Sequence, residues 1–148
     1  VMDNLSFVME DMSRNLRTGY NYQCFDANNT TLSSGTLGAP RSCADGWAIA
    51  FEYQSGNPSS SVDQWAYYIS NDGKLFKSTN GTTSFVQMNP DEVVISPDSS
   101  IIISGAEPPP GNTQQPFVTI KLVGNITFKN FVTPFTLQTS VSQRAIDI

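Results

Sequence analysis

Trp47-Ala48-Ile49-Ala50-Phe51-Glu52-Tyr53-Gln54 is the stretch at which the apolar period of the chain becomes two: Trp47, Ile49, Phe51 and Tyr53 alternate with Ala48, Ala50, Glu52 and Gln54. Successive side chains of a strand point to opposite faces, so this pattern specifies a β-strand with one face in a core. Upstream the period is different. Val1, Leu5, Val8, Met9, Met12 and Leu16 recur every three or four residues, with Asp3, Glu10, Asp11, Arg14 and Arg17 mostly elsewhere. That is the stripe of an amphipathic helix, and Leu5, Val8, Met9, Met12 and Leu16 are its expected packing face. Gly19 supplies a stop, and Arg14 and Arg17 stand where the helix dipole favours cations.

Between helix and strand, residues 20–45 are dense in Asn, Thr, Ser and Gly and read as a long loop holding at most one short strand. Both cysteines fall there, Cys24 and Cys43, with eighteen residues between them. Two readings are open, a disulfide or two unrelated buried thiols. The polar loop, which has little else to hold it, favours the disulfide and with it an oxidising compartment. Closing such a loop is worth on the order of 3 kcal/mol in chain entropy.

Downstream of Gln54 the β pattern continues. Gln64–Ser70 and Lys74–Ser78 flank Asn71-Asp72-Gly73, a turn whose residues tolerate the positive φ that tight hairpins need. Phe85–Val94 is a weaker β segment, Ile101–Gly105 a short apolar strand, and Pro108-Pro109-Pro110-Gly111 an irregular loop. Val118, Ile120 and Leu122 alternate with polar neighbours up to a break at Gly124, after which Ile126 and Phe128 can prolong the pattern, and Phe135, Leu137, Thr139 and Val141 alternate in a last strand. One helix followed by short strands predicts an α+β fold, the helix packed across antiparallel sheet. A length of 148 residues suits a single domain: residues 1–19 the helix, 20–45 the pinned loop and 46–148 a β-rich head.

Composition narrows the function. Charged residues are 14% of the chain, below the roughly 25% of an average soluble protein, which suits a secreted or surface protein. The formal charge is −5 with eight scattered Lys and Arg, so no basic stripe is available to neutralise a phosphate backbone, and nucleic acid is not expected as a primary partner. There is no histidine, which removes the usual base of Ser and Cys nucleophile systems and the commonest metal ligand. Gly73-Lys74 could end a phosphate loop, but Tyr68 stands where its first Gly belongs, and the same segment lacks the ligand spacing of a calcium loop. Asp45, Glu52, Asp63, Asp72, Asp91, Glu92, Asp98 and Glu107 could in principle supply a catalytic carboxylate pair, but no feature converges two of them on an apolar site. The chain is thus read as no enzyme, with no cofactor, no metal and no small-molecule substrate. A second reading is a secreted carbohydrate- or surface-binding β module, with Trp65, Tyr67 and Tyr68 as its stacking candidates. Adjacent Tyr67 and Tyr68 must face opposite sides of a strand.

Two stretches carry a family likeness. Leu5-Ser6-Phe7-Val8-Met9-Glu10-Asp11-Met12-Ser13-Arg14-Asn15-Leu16-Arg17-Thr18-Gly19 resembles the second half of the long N-terminal helix of type IV pilin-like proteins, minor pseudopilins of the J type above all. Gln115-Pro116-Phe117-Val118-Thr119-Ile120 and Phe135-Thr136-Leu137-Gln138-Thr139-Ser140-Val141-Ser142-Gln143-Arg144 resemble the closing strands of the same proteins. Residues 20–95 agree with them only in layout. The resemblance implies a pilin-like fold and a structural subunit of a type IV pilus or a type II secretion-like pseudopilus. Such a subunit is made as a precursor anchored in the cytoplasmic membrane, cleaved and methylated by a prepilin peptidase, and packed through its helix against other pilin or pseudopilin subunits outside the cytoplasm. The hydrophobic half of the family's helix, with its cleavage site and glutamate, is expected upstream of Val1.

Overall fold

The computed structural model describes residues 2–38, 40–54, 56, 60, 62–107 and 115–142. In chain order its elements are the helix α1 (Met2–Thr18), β1 (Tyr20–Phe25), a 3-10 turn (Ser34–Thr36), β2 (Cys43–Gly46), β3 (Ala48–Glu52), β4 (Trp65–Ile69), β5 (Leu75–Ser78), β6 (Val86–Gln87), β7 (Val93–Ile95), β8 (Ser100–Ser104), β9 (Phe117–Phe128) and β10 (Phe131–Ser142). All the strand ladders are antiparallel. They form two five-stranded sheets, one in the order β1-β3-β4-β5-β6 and the other β10-β9-β8-β2, with β7 paired beside β8 along β9.

This corrects the expected α+β, pilin-like fold with its N-terminal helix packed on a sheet. Two antiparallel sheets make up most of the regular structure of the described chain, and α1, with 17 residues, is its one α-helix. The segment expected to be loop carries two strands. Polar side chains hid β1, because Asn21 takes φ 56° at a register shift between Tyr20 and Gln23. Gln23 is then fully buried, its amide donating to Gln64 Oε1 at 3.0 Å and its carbonyl accepting from Gly38 N at 2.6 Å. A buried amide satisfied at both ends costs little, so a polar residue sits fully buried in β1, the edge strand of its sheet. Gly124 does not break the last long segment either, for β9 runs straight through it for 12 residues. The loop expected at Pro108–Gly111, Val1 of the helix stripe, and Gln143 and Arg144 of the C-terminal likeness lie outside the described residues.

Leu5, Val8, Met9, Met12 and Leu16 are buried and share one core with Ile49, Phe51, Tyr67 and Leu75 of the first sheet and Ile101, Val118, Ile120 and Leu122 of the second. Burying each such side chain is worth roughly 1.5–3 kcal/mol. A polar cluster fixes how the helix is turned: Asp11 Oδ2 accepts from Tyr67 OH at 3.1 Å and from Lys77 Nζ at 3.0 Å, and Asn15 Nδ2 donates to Tyr67 OH at 3.2 Å. Charge-assisted bonds of this kind contribute about 1.5–3 kcal/mol, less than the stripe as a whole. Packing therefore holds α1, and the cluster sets its rotation. Burial, with Asp11 next to it, pushes the Tyr67 hydroxyl far above its ordinary value, so it stays a donor. At the other end Tyr22 OH donates to the Leu16 and Gly19 carbonyls, satisfying the last turn of the helix. Gly19 is there for space, because a Cβ would lie 2.5 Å from Phe51 Cδ2.

All of β3 is buried, on both faces. The inner face meets the main core, and the outer face, Ala48 and Ala50 with Phe25 and Ala66, is covered by Leu32 and Leu37 of the loop after β1. The expected strand with one buried face thus has two.

Candidate functional site

Cys24 and Cys43 are joined in a disulfide with Cα atoms 5.6 Å apart. Cys24 belongs to β1 in the first sheet and Cys43 to β2 in the second, so the bond crosses from sheet to sheet. The chain itself makes the same crossing at Trp47, between β2 and β3. Around the bond the backbone is tightly fixed. Cys24 N donates to Arg41 O at 3.1 Å, Arg41 Nε to Cys24 O at 2.7 Å, and the Arg41 guanidinium lies 4.4 Å from the centre of the Phe25 ring. Ser42 gives its N–H and hydroxyl to Glu107 at 2.7 and 2.8 Å, which holds that carboxyl below its ordinary range. A structural disulfide is the pattern of an oxidising, extracytoplasmic environment. No described helix is long and apolar enough to cross a membrane.

Of the candidate carboxylates, Asp63 is brought close enough to Glu52 for its charge to raise the cost of ionising Glu52. Glu52 is 1% exposed, and among the described residues neither of its oxygens has a hydrogen-bond partner of good geometry. Burial first, then the Asp63 charge, pushes its carboxyl above the ordinary value, and the Gln64 amide offsets this only in part. A carboxyl raised in the folded state binds its proton more tightly there than in the unfolded chain. Stability is therefore lost as pH rises from the ordinary value through the raised one. Glu52→Gln should melt several degrees above the parent chain at pH 7, with the gap closing near pH 4. Thermal melts across that range test this, and a variant less stable at pH 7 would sink it.

The aromatic candidates part company. Tyr67 is fully buried and stacks on Phe51. Trp65 is half-buried, 4.1 Å from the Tyr53 ring, with Lys77 Nζ 4.6 Å from its centre. Tyr68 turns to the opposite face of the sheet, where it meets Trp47 (ring centres 6.0 Å apart), Phe76 (4.9 Å) and Phe85 (5.0 Å). Each of these four rings is half-buried. Trp65, Tyr67 and Tyr68 therefore form no common platform, whereas Trp47 and Tyr68 line a groove of about 460 Å³ with Asp26, Thr30, Ser70 and Asn71. Trp47 was hidden among the residues assigned to the core by the alternation at β3, and the loop that makes the groove's other wall carries no periodic signal.

A second surface stands at the far end of the β9–β10 hairpin. In its register Phe131 opposes Phe128, Thr133 opposes Ile126 and Phe135 opposes Gly124, all on the face that further along carries the core residues Leu122, Ile120 and Val118. The core ends at Ile126 and Phe135, and the apolar face continues past it. Phe128 is 59% exposed and Phe131 76%, with Val132 exposed on the reverse face. The arm closes in a two-residue turn, Lys129-Asn130, both at positive φ as a type I′ hairpin requires. Behind the phenylalanines lies a groove of about 760 Å³ lined by Ile126, Thr133, Pro134, Phe135 and Leu137. Among the described strands β10 pairs with β9 alone and is the edge of its sheet over all 12 of its residues. Pro134 in it is a residue that edge strands admit and central strands do not.

No family model, no curated protein and no solved structure matches this chain.

Proposed function

We propose that the chain is the extracytoplasmic head of a filament subunit, a minor pilin or pseudopilin of a type IV pilus or type II secretion-like assembly, which works by packing against other subunits. The observation that carries this reading is the β9–β10 arm. An isolated protein gains nothing by holding two phenylalanines on the core-facing side of a hairpin beyond the end of its core, and apolar surface displayed in this way marks an interaction site. The likeness of residues 5–19 and of 115–120 with 135–144 to prepilin-type proteins supplies the kind of partner: other pilin or pseudopilin subunits, met outside the cytoplasm after release of a membrane-anchored precursor. The disulfide between the sheets suits that compartment.

Two measurements test the proposal. The coding sequence immediately upstream of Val1 should specify about 20 apolar residues, enough to cross a bilayer, preceded by a short basic leader. If it does not, the reading fails. In the native host, a Phe128→Ser/Phe131→Ser precursor should fold and reach the membrane yet be lost from sheared filaments. Incorporation at the parent level would remove the arm from the assembly surface.

A further inference from the structure

The groove on the outer face of the first sheet is separate from the arm and has a different chemistry. Its floor is aromatic, Trp47 and Tyr68 with ring planes 80° apart. Trp47 Nε1 donates to the Asp26 and Asn29 carbonyls at 3.0 and 3.1 Å, which pins the indole to the loop after β1. Phe76 and Phe85 buttress Tyr68 from the other side. The rim is polar. Asp26 accepts from Asn28 N at 3.0 Å and Asn29 Nδ2 at 3.2 Å, which hold its carboxyl below the ordinary range, so at neutral pH it is an acceptor. Thr30 and Ser70 contribute hydroxyls, and Asn71, exposed in the β4–β5 turn, contributes an amide.

We propose that this groove binds a neutral pyranose of a glycan. A pyranose ring offers an apolar C–H face to an aromatic ring and a girdle of hydroxyls that need donors and acceptors in close alternation. A carboxylate, an amide and two hydroxyls around two aromatic rings supply both. The volume lies within the range of small-ligand sites, whose walls are mostly apolar with a few converging polar groups. The sign of charge selects among sugars. Among the described residues the one charged side chain lining the groove is the Asp26 carboxylate, and the chain carries a net charge of −5, so sialylated, uronic and sulfated saccharides are disfavoured. This assignment does not depend on the filament reading, since neither Phe128 nor Phe131 is part of the groove.

The test is a glycan array probed with the folded, oxidised chain, followed by saturation-transfer NMR and tryptophan fluorescence titration with the saccharides that bind. Neutral hexose-containing glycans should bind, with saturation transfer strongest at the ring C–H protons. Asn71→Ala, at an exposed turn, should weaken binding at least tenfold. So should Tyr68→Ser, with circular dichroism confirming that it folds, whereas Trp65→Phe on the opposite face should bind as the parent does. The proposal is overturned if no neutral glycan binds at millimolar concentration. It is equally overturned if hits are confined to anionic glycans or peptides, or if Asn71→Ala and Tyr68→Ser, both folded, bind unchanged.

Discussion

Replacing both Cys24 and Cys43 by alanine is expected to lower the melting temperature by about 10 °C. Loop closure over this separation is worth on the order of 3 kcal/mol, and a protein of this size loses about 4 °C per kcal/mol. Position adds to length. Cys24 is fully buried and the bond joins strands of different sheets, so its loss leaves a cavity at the seam as well as a freer unfolded chain. Gly46 shows how closely that seam is packed, for a Cβ there would fall 2.7 Å from Cys24 Sγ and 2.8 Å from the Ile101 carbonyl oxygen. Scanning calorimetry of the double variant against the oxidised parent checks the value. A difference of less than about 2 °C would show that the sheets are held together without the bond.

Gly124→Ala should be comparably damaging, although alanine is the smallest possible addition. Gly124 sits in the middle of β9 between Ile95 of β7 and Phe135 of β10. A Cβ there would overlap the Val94 carbonyl oxygen and lie 3.0 Å from Phe135 Cζ. Phe135 could turn away, but a backbone oxygen cannot. β7 would have to separate from β9, giving up the Val93–Ile95 ladder and the bond from Ser96 N to Val123 O. Overpacking of this kind costs about 1–3 kcal/mol, occasionally more, and here the upper end or beyond is expected, a fall of about 10 °C or more. Gly38→Ala, with no atom of the described residues within 4 Å of the new methyl, is the control and should leave the melting temperature unchanged. Equal melting temperatures for the two variants would mean that β7 is not held where the structure places it.

Much of the β architecture was legible because it rests on period and turn chemistry. The alternation at Trp47–Gln54 and the Asn71-Asp72-Gly73 turn correspond to β3 and the β4–β5 hairpin, and the opposed faces of Tyr67 and Tyr68 follow from the pleat alone. The balance of the fold was misjudged where side chains carry tertiary information. Gln23 reads as a loop residue until Gln64 is beside it, and Gly124 reads as a break until three strands are seen to converge on it. One amphipathic helix at the start of the sequence suggested a helix-on-sheet plan, yet nothing in its stripe distinguishes one sheet from two. Of the two surface sites, only Tyr68 of the groove was singled out by the sequence, and the arm was not. Phe128 and Phe131 look like core residues of a regular strand, and they are exposed because the core ends before the hairpin does. The Trp47–Tyr68 groove needs a loop folded back over the sheet, which no local pattern encodes.

The seam between the sheets also decides what the molecule does when it is pulled. α1 hands its C-terminal turn to Tyr22, and two residues further along the same strand Cys24 is bonded to the opposite sheet. Tension entering through the helix thus runs lengthwise into β1, where the ladder to β3 is loaded in shear and its bonds must yield together. At Cys24 the load passes across the disulfide, and residues 25–42 drop out of the path. At roughly 3.4 Å per extended residue, about 60 Å of slack is withheld from the chain. Under reducing conditions the same pull would pay out that length before the second sheet felt it, so the oxidation state of one bond sets the compliance of the whole head.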